Sequence, residues 1–164
     1  MGIRGRSAAV LFTVGGLTWA LDRLTKVLVE RSLAGRPPIA VIPGVLDLRF
    51  TTNSGGAFSL GQSAPWIFVG ASVLVAGAIV ATAFRHANVG TSIALGLILG
   101  GALGNLTDRV LRGPRFTGHV VDFVDFHVWP VFNLADTAIV AGAVVLALTS
   151  FGADRDAAPS SDDG

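Results

Sequence analysis

The sequence predicts an all-α membrane protein: four transmembrane helices, a small extramembrane β-hairpin or sheet, and a short outer loop or helix over a polar site at the helix ends. Three observations predict it. Of 164 residues, 51% are hydrophobic and only 14% charged, far from the balance of a soluble domain. No charged side chain occurs between Arg49 and Arg85. The polar residues that do break the apolar runs fall into a few short clusters.

The elements follow in order. Met1–Arg6 is a short basic tail, and a first span covers about Ser7–Val29. Arg4 and Arg6 before an apolar stretch would also suit a cleaved signal peptide, but three further apolar segments favour an uncleaved span. In the polar stretch that follows, Leu46, Leu48 and Phe50 alternate with Asp47, Arg49 and Thr51, the period of a half-buried strand. Pro43-Gly44 supplies a turn, so Ile39–Ile42 can pair with Val45–Thr51 as a hairpin. Ala64–Phe84 is long enough for roughly 30 Å of helix. Arg85–Gly90 then permits only a tight loop, which makes spans two and three antiparallel. The third span, Ala87–Thr107, carries Gly96, Gly100 and Gly104 at the four-residue spacing of close helix packing. Arg109–His127 is a polar return, and Val128–Phe151 is a fourth span broken only by Asp136. Spans at about 7–29, 64–84, 87–107 and 128–151 thus form one domain over 1–152, and 153–164 reads as a disordered tail. Loop arginines do not decide the orientation: Arg4, Arg6 and Arg85 mark one face, while Arg31, Arg36, Arg49, Arg112 and Arg115 mark the other.

Composition also excludes classes of function. A net charge of +1 with no basic, aromatic-studded strip argues against a nucleic-acid partner. The absence of cysteine removes disulfides, a thiolate nucleophile and lipid attachment.

Five acids, Asp22, Asp108, Asp122, Asp125 and Asp136, lie in or beside apolar runs, where a carboxylate is expensive and hence a functional candidate. With alternating spans, the clusters Asp22–Lys26, Asn53–Ser59, Asn105–Arg109 and His119–Asp136 converge on one face of the membrane. Asp22 and the chain's one lysine, Lys26, form an i,i+4 pair that a purely structural ion pair would equally explain. Asn105, Asp108 and Arg109 share one helical turn, and Asn133 and Asp136 are three apart. Two carboxylates from separate segments can share one proton, one activating water while the other donates to a carbonyl oxygen. Asp136 could pair in this way with Asp122 or with Asp125, and spacing leaves both open. Competing readings are a metal site from His119, Asp122, Asp125 and His127, whose spacing matches no standard ligand motif, and a Ser–Lys hydrolase using Ser54 or Ser59 with Lys26. Against the latter, Asp22 would keep Lys26 protonated. A small transporter or proton- or cation-conducting protein using the same acids is a further alternative. No acid lies near the middle of a span, which counts against it.

The motifs Asp22-x-x-x-Lys26, Asn53-Ser-Gly-Gly-Ala-Phe-Ser59, Gly100-Gly-Ala-Leu-Gly-Asn-Leu-Thr-Asp-Arg109, Val120-Val-Asp-Phe123 and Phe132-Asn-Leu-Ala-Asp136 occur in that order. In them the chain resembles the lipoprotein signal peptidases (signal peptidase II), bacterial inner-membrane aspartic peptidases, over nearly its whole length. The resemblance implies that Asp122 and Asp136 are the catalytic pair. It also implies that Asp22, Lys26, Asn53, Gly101, Asn105, Arg109, Asn133 and Ala135 bind substrate or support that pair, with Asp108 structural. The implied reaction removes signal peptides from diacylglyceryl-modified prolipoproteins just before the lipidated cysteine, with no metal or organic cofactor. The implied partners are those substrates and membrane lipids. The implied setting is a monomer in the bacterial cytoplasmic membrane, with termini cytoplasmic and the site near the outer surface. Leu111–Gly118, with Gly113-Pro114, is longer than in many family members and bears on the lid over the site.

Overall fold

The computed structural model describes residues 2–55, 65–85 and 87–156. Four helices account for most of them: α1 (Ile3–Leu33), α2 (Pro65–Thr82), α3 (Val89–Leu111) and α4 (Leu134–Asp156). Three strands, β1 (Ile39–Ile42), β2 (Leu46–Asn53) and β3 (Val120–Asp125), form one antiparallel sheet in the order β1-β2-β3.

The expected hairpin is present, with Gly44 in the left-handed conformation (φ +76) and the Val45 amide donating to Ile42 O across the turn. The sheet has a third strand, though, within the stretch expected only as a polar return, and it carries Asp122 and Asp125. β3 pairs with β2 so that Thr51 faces Asp122 and Asn53 faces Val120. Val120–Phe123 are buried on both faces of the strand, and a strand covered on both sides shows no polar alternation to read.

α3 is the central helix, packed against α1 on one side and α4 on the other, with α2 resting mainly on α3. Its glycines make this possible. A methyl group on Gly100 would lie 2.5 Å from the Gly15 carbonyl oxygen and from Thr18 Cβ on α1, and one on Gly96 would lie 2.7 Å from Leu11 O. Gly101, one residue round the helix, faces α4, where the same methyl would lie 2.5 Å from Ala135 O. The glycine stripe is therefore a packing surface for two helices, and the apolar core of Leu11, Ala76, Ile79, Ala83 and Leu99 closes around it.

α4 starts at Leu134, not near Val128. Pro130 lies in the intervening segment, Phe132 exchanges backbone hydrogen bonds with Val124 at the edge of β3, and Asn133 caps the helix. At its other end α4 runs through Asp156, into the stretch expected to be tail; residues 157–164 lie outside the described residues. Among the described residues, Val89–Leu111 is the helix long and apolar enough by itself to cross a membrane, while Trp66–Thr82 and Leu134–Ser150 are shorter apolar helices. Beside the apolar core Asp22, Lys26 and Asp108 are fully buried, whereas Leu17, Leu21, Leu24 and Leu28 on α1 and Val140, Val144 and Leu148 on α4 face outward.

Candidate active site

The ends of α1, α3 and α4 meet β3 at a cluster of buried polar side chains. Lys26 is its anchor. Its ammonium has three N–H donors and three oxygens within reach: Asp22 Oδ2 at 2.9 Å, Asp108 Oδ2 at 2.9 Å and Asn105 Oδ1 at 3.0 Å. Because Asn105 turns its oxygen toward Lys26, its amide nitrogen faces the other way and donates to Asp136 Oδ1 at 2.8 Å.

Asn133 and Asp136 form a reciprocal cap at the start of α4: the Asp136 amide donates to Asn133 Oδ1 at 2.9 Å, and the Asn133 amide donates to Asp136 Oδ2 at 3.2 Å. That cap fixes Asn133 in turn. With its oxygen committed, its Nδ2 donates to Asp122 Oδ1 at 2.6 Å and to Asn105 Oδ1 at 3.1 Å. Asn133 thus bridges the two acids, and Asn53 at the end of β2 adds a second hydrogen bond to Asp122. Asp22 accepts from the Ala135 amide at 3.0 Å, placing its carboxylate at the positive end of α4.

Asp122 is 3% exposed. Burial, reinforced by the negative charge of Asp136, pushes its carboxyl up to about 7 against the opposing effect of the Asn133 and Asn53 hydrogen bonds. Asp122 and Asp136 both line a cavity of about 400 Å³ whose apolar wall is Phe68, Ala71, Ile139 and Val140. Arg109, also buried, lies against Phe68 and donates to the carbonyls of Ser54 and Gly55 at 3.3 and 2.8 Å, holding the chain that leaves β2 beside this cavity.

Of the residues singled out from sequence, Lys26, Asn105, Asn133, Asp122, Asp136 and Asn53 form one connected set. Gly101 and Ala135 differ in kind, since they pack α3 against α4 and neither lines the cavity. Asp125 stands apart, bonded to Arg49 at 3.2 Å and to the His127 amide at 2.8 Å. His119 is exposed and His127 lies 3.3 Å from Asp47, so the four suggested metal ligands do not gather, and no other such group occurs among the described residues. Ser59 lies outside the described residues.

The resemblance implied a structural Asp108, but sequence reasoning missed the groups around it. Asp108 accepts from Arg23, from Arg112 Nε at 2.9 Å and from the Val121 amide at 3.3 Å, and Arg112 continues in a two-pronged pair to Glu30 at 2.8 and 2.9 Å. This network ties α1, α3 and β3 together behind Lys26. The i,i+4 spacing of Asp108 and Arg112 was the available signal. Leu111–Gly118 folds back on the end of α3, where the Gly118 amide donates to Arg109 O; the described residues that line the cavity include Trp129–Phe132 and none from this segment.

The family described as "Signal peptidase (SPase) II" matches residues 14–152. A lipoprotein signal peptidase of Rhodococcus jostii is 40% identical over 90% of this chain and 75% of its own length. One from Desulfitobacterium hafniense is 41% identical over 85% and 91%. Among solved structures, a bacterial membrane enzyme superposes with a TM-score of 0.77 at 24% identity over 95% of this chain and 94% of its own, a likeness of fold. Another gives 0.70 at 27% identity over 86% and 92%. The chain belongs to the signal peptidase II family.

Proposed function

We propose that this membrane protein, which as a family member removes signal peptides from prolipoproteins, does so as an aspartic endopeptidase with Asp122 and Asp136 as its catalytic pair. One observation carries the reading: two carboxylates, one from β3 and one from the first turn of α4, open into the same cavity and are bridged by Asn133. The raised carboxyl of Asp122 makes it the proton donor to the scissile carbonyl, and Asp136, in the first turn of α4, takes a proton from water. Attack gives a gem-diol held by the pair; as it collapses, Asp136 passes its proton to the leaving amine and Asp122 recovers one from a gem-diol hydroxyl. Asn105 and Asn133 orient the carboxylates, Lys26 orients Asn105, and Asn53 and Arg109 set the substrate side of the cavity. No metal or organic cofactor takes part in these steps. Nothing in the site favours a transporter or ion-conducting protein.

All four helices span the membrane in this reading, because their outward faces are apolar while charged side chains such as Asp22, Lys26 and Asp108 are buried between them, and lipid is the solvent that suits apolar outward faces. The short loop between α2 and α3 then faces the cytoplasm with both termini, and the sheet and site face outward. The protein acts as a monomer. Its substrates carry a diacylglyceryl group on the cysteine that follows the cut. Two acyl chains set the depth of the peptide, each buried methylene contributing about 0.8 kcal/mol.

Purified variants test the pair directly. Asp122→Asn and Asp136→Asn each abolish cleavage of a diacylated prolipoprotein while the protein stays folded, and Asp125→Asn retains most activity. Turnover near the wild-type rate by either of the first two rejects the pair.

A further inference from the structure

Asp122 stands where two cavities of opposite character meet. Besides the apolar one between α2 and α4, a second cavity of about 710 Å³ opens along the sheet, walled by Arg49, Thr51, Thr52 and Ser54 and by Asp125 and His127. Asn53, Asp122 and the segment Trp129–Val131 border both. Its volume is in the ordinary range for ligand sites, roughly 300–1,000 Å³.

The walls are chemically specific. Arg49 is paired with Asp125 at 3.2 Å, and His127 Nε2 lies 3.3 Å from Asp47. Between these groups the sheet offers the hydroxyls of Thr51, Thr52 and Ser54, a surface that suits an uncharged polar chain, against the apolar Val128–Val131 on the other side. The far wall is also held firmly. His127 takes a left-handed conformation (φ 62) with its amide on Asp125 Oδ1, and Phe132 is hydrogen-bonded to β3 with its ring stacked on Phe126 at 6.0 Å. The segment between them is thus closed at both ends and forms a fixed partition between the cavities.

A substrate lying across Asp122 and Asp136 is one continuous chain. Its apolar part, signal peptide and acyl groups, has the apolar cavity and the lipid. Beyond the scissile bond the chain belongs to a protein exported into water, and the polar continuation from Asp122 is the second cavity. We propose that this cleft binds the first residues of the mature lipoprotein, those that follow the lipidated cysteine, as an extended, uncharged polar segment. The proposal rests on Asp122 and Asp136 being the catalytic pair.

Two synthetic substrates test it, both diacylated and identical through the cysteine. One ends there as an amide and the other continues for four serine and glycine residues. In the same detergent, wild-type protein cleaves the longer one with kcat/KM about tenfold higher, the equivalent of one good polar contact. Thr52→Trp, at an exposed position on β2, fills the cleft and brings that ratio close to one. Thr52→Ile, which keeps strand propensity and removes the hydroxyl, lowers the ratio by a smaller factor. Equal kcat/KM for the two substrates in the wild type overturns the proposal without any variant. So does a Thr52→Trp protein that keeps the tenfold preference. Asp122→Asn and Asp136→Asn assayed on the short substrate report on the catalytic pair separately, so failure of the cleft and failure of the pair are distinguishable.

Discussion

Replacing Lys26 by Met is the most severe single perturbation the structure offers at the site. Met matches the length and girth of the side chain but cannot donate, so Asp22, Asp108 and the Asn105 oxygen each lose a partner at about 3 Å. The three losses are unequal. Asp108 keeps Arg23, Arg112 and the Val121 amide. Asp22 keeps only the Ala135 amide among its donors from other elements, and it is fully buried. Breaking a buried pair by removing one member is worth roughly 3–5 kcal/mol, and at roughly 2–4 °C per kcal/mol for a chain of this size the melting temperature falls on the order of 10 °C. Adding Asp22→Asn to Lys26→Met removes the stranded charge and recovers a large part of the loss, a non-additivity a double-mutant cycle reads directly. Activity does not recover with it, because Asn105 is no longer held with its nitrogen toward Asp136. Thermal unfolding in one detergent, followed by tryptophan fluorescence, supplies the stabilities. A Lys26→Met protein that melts within a degree or two of wild type refutes the reasoning, as does a double variant no more stable than the single one.

Two further outcomes follow from the same geometry. Gly100→Val drives a branched side chain into the Gly15 carbonyl and Thr18, forcing α1 from α3; overpacking of this kind is worth about 1–3 kcal/mol, and a lowered melting temperature with reduced cleavage checks it. For pH, Asp122 is protonated below about 7 and in the unfolded chain only below its usual value near 4, so the folded state holds the extra proton between the two. Stability therefore falls as pH rises through that window, and cleavage, which uses the proton, declines above about 7; Asp122→Asn melts higher than wild type at pH 8 and loses that advantage at pH 4.

Where hydrophobic pattern and local spacing carry the information, the sequence is legible. The uncharged runs mark α2 and α3, the four-residue glycine period marks the face of α3 that meets α1, and the alternation at Leu46–Thr51 marks β2. Asn133 and Asp136, three apart, are what a reciprocal helix cap requires. β3 was not legible because Val120–Phe123 are covered on both faces, so nothing alternates. The start of α4 was misplaced because Val128–Phe132 is as apolar as the helix it precedes, and its bonding to Val124 is a long-range fact. The choice between Asp122 and Asp125 as partner to Asp136 depended on resemblance. In the structure the Asn133 side-chain amide reaches Asp122, while Asp125 is bonded to Arg49 and the His127 amide.

The start of α4 has a consequence for how such an enzyme comes into being. Its cap, Asn133 and Asp136, is also half of the cluster, and its second amide is held by Asp22, more than a hundred residues earlier in the chain. Asp122 reaches the cluster only when β3 has joined a strand made before α2. With Asp122 and Asp136 as the proposed pair, a chain made from its N-terminus has no complete site until α4 has docked.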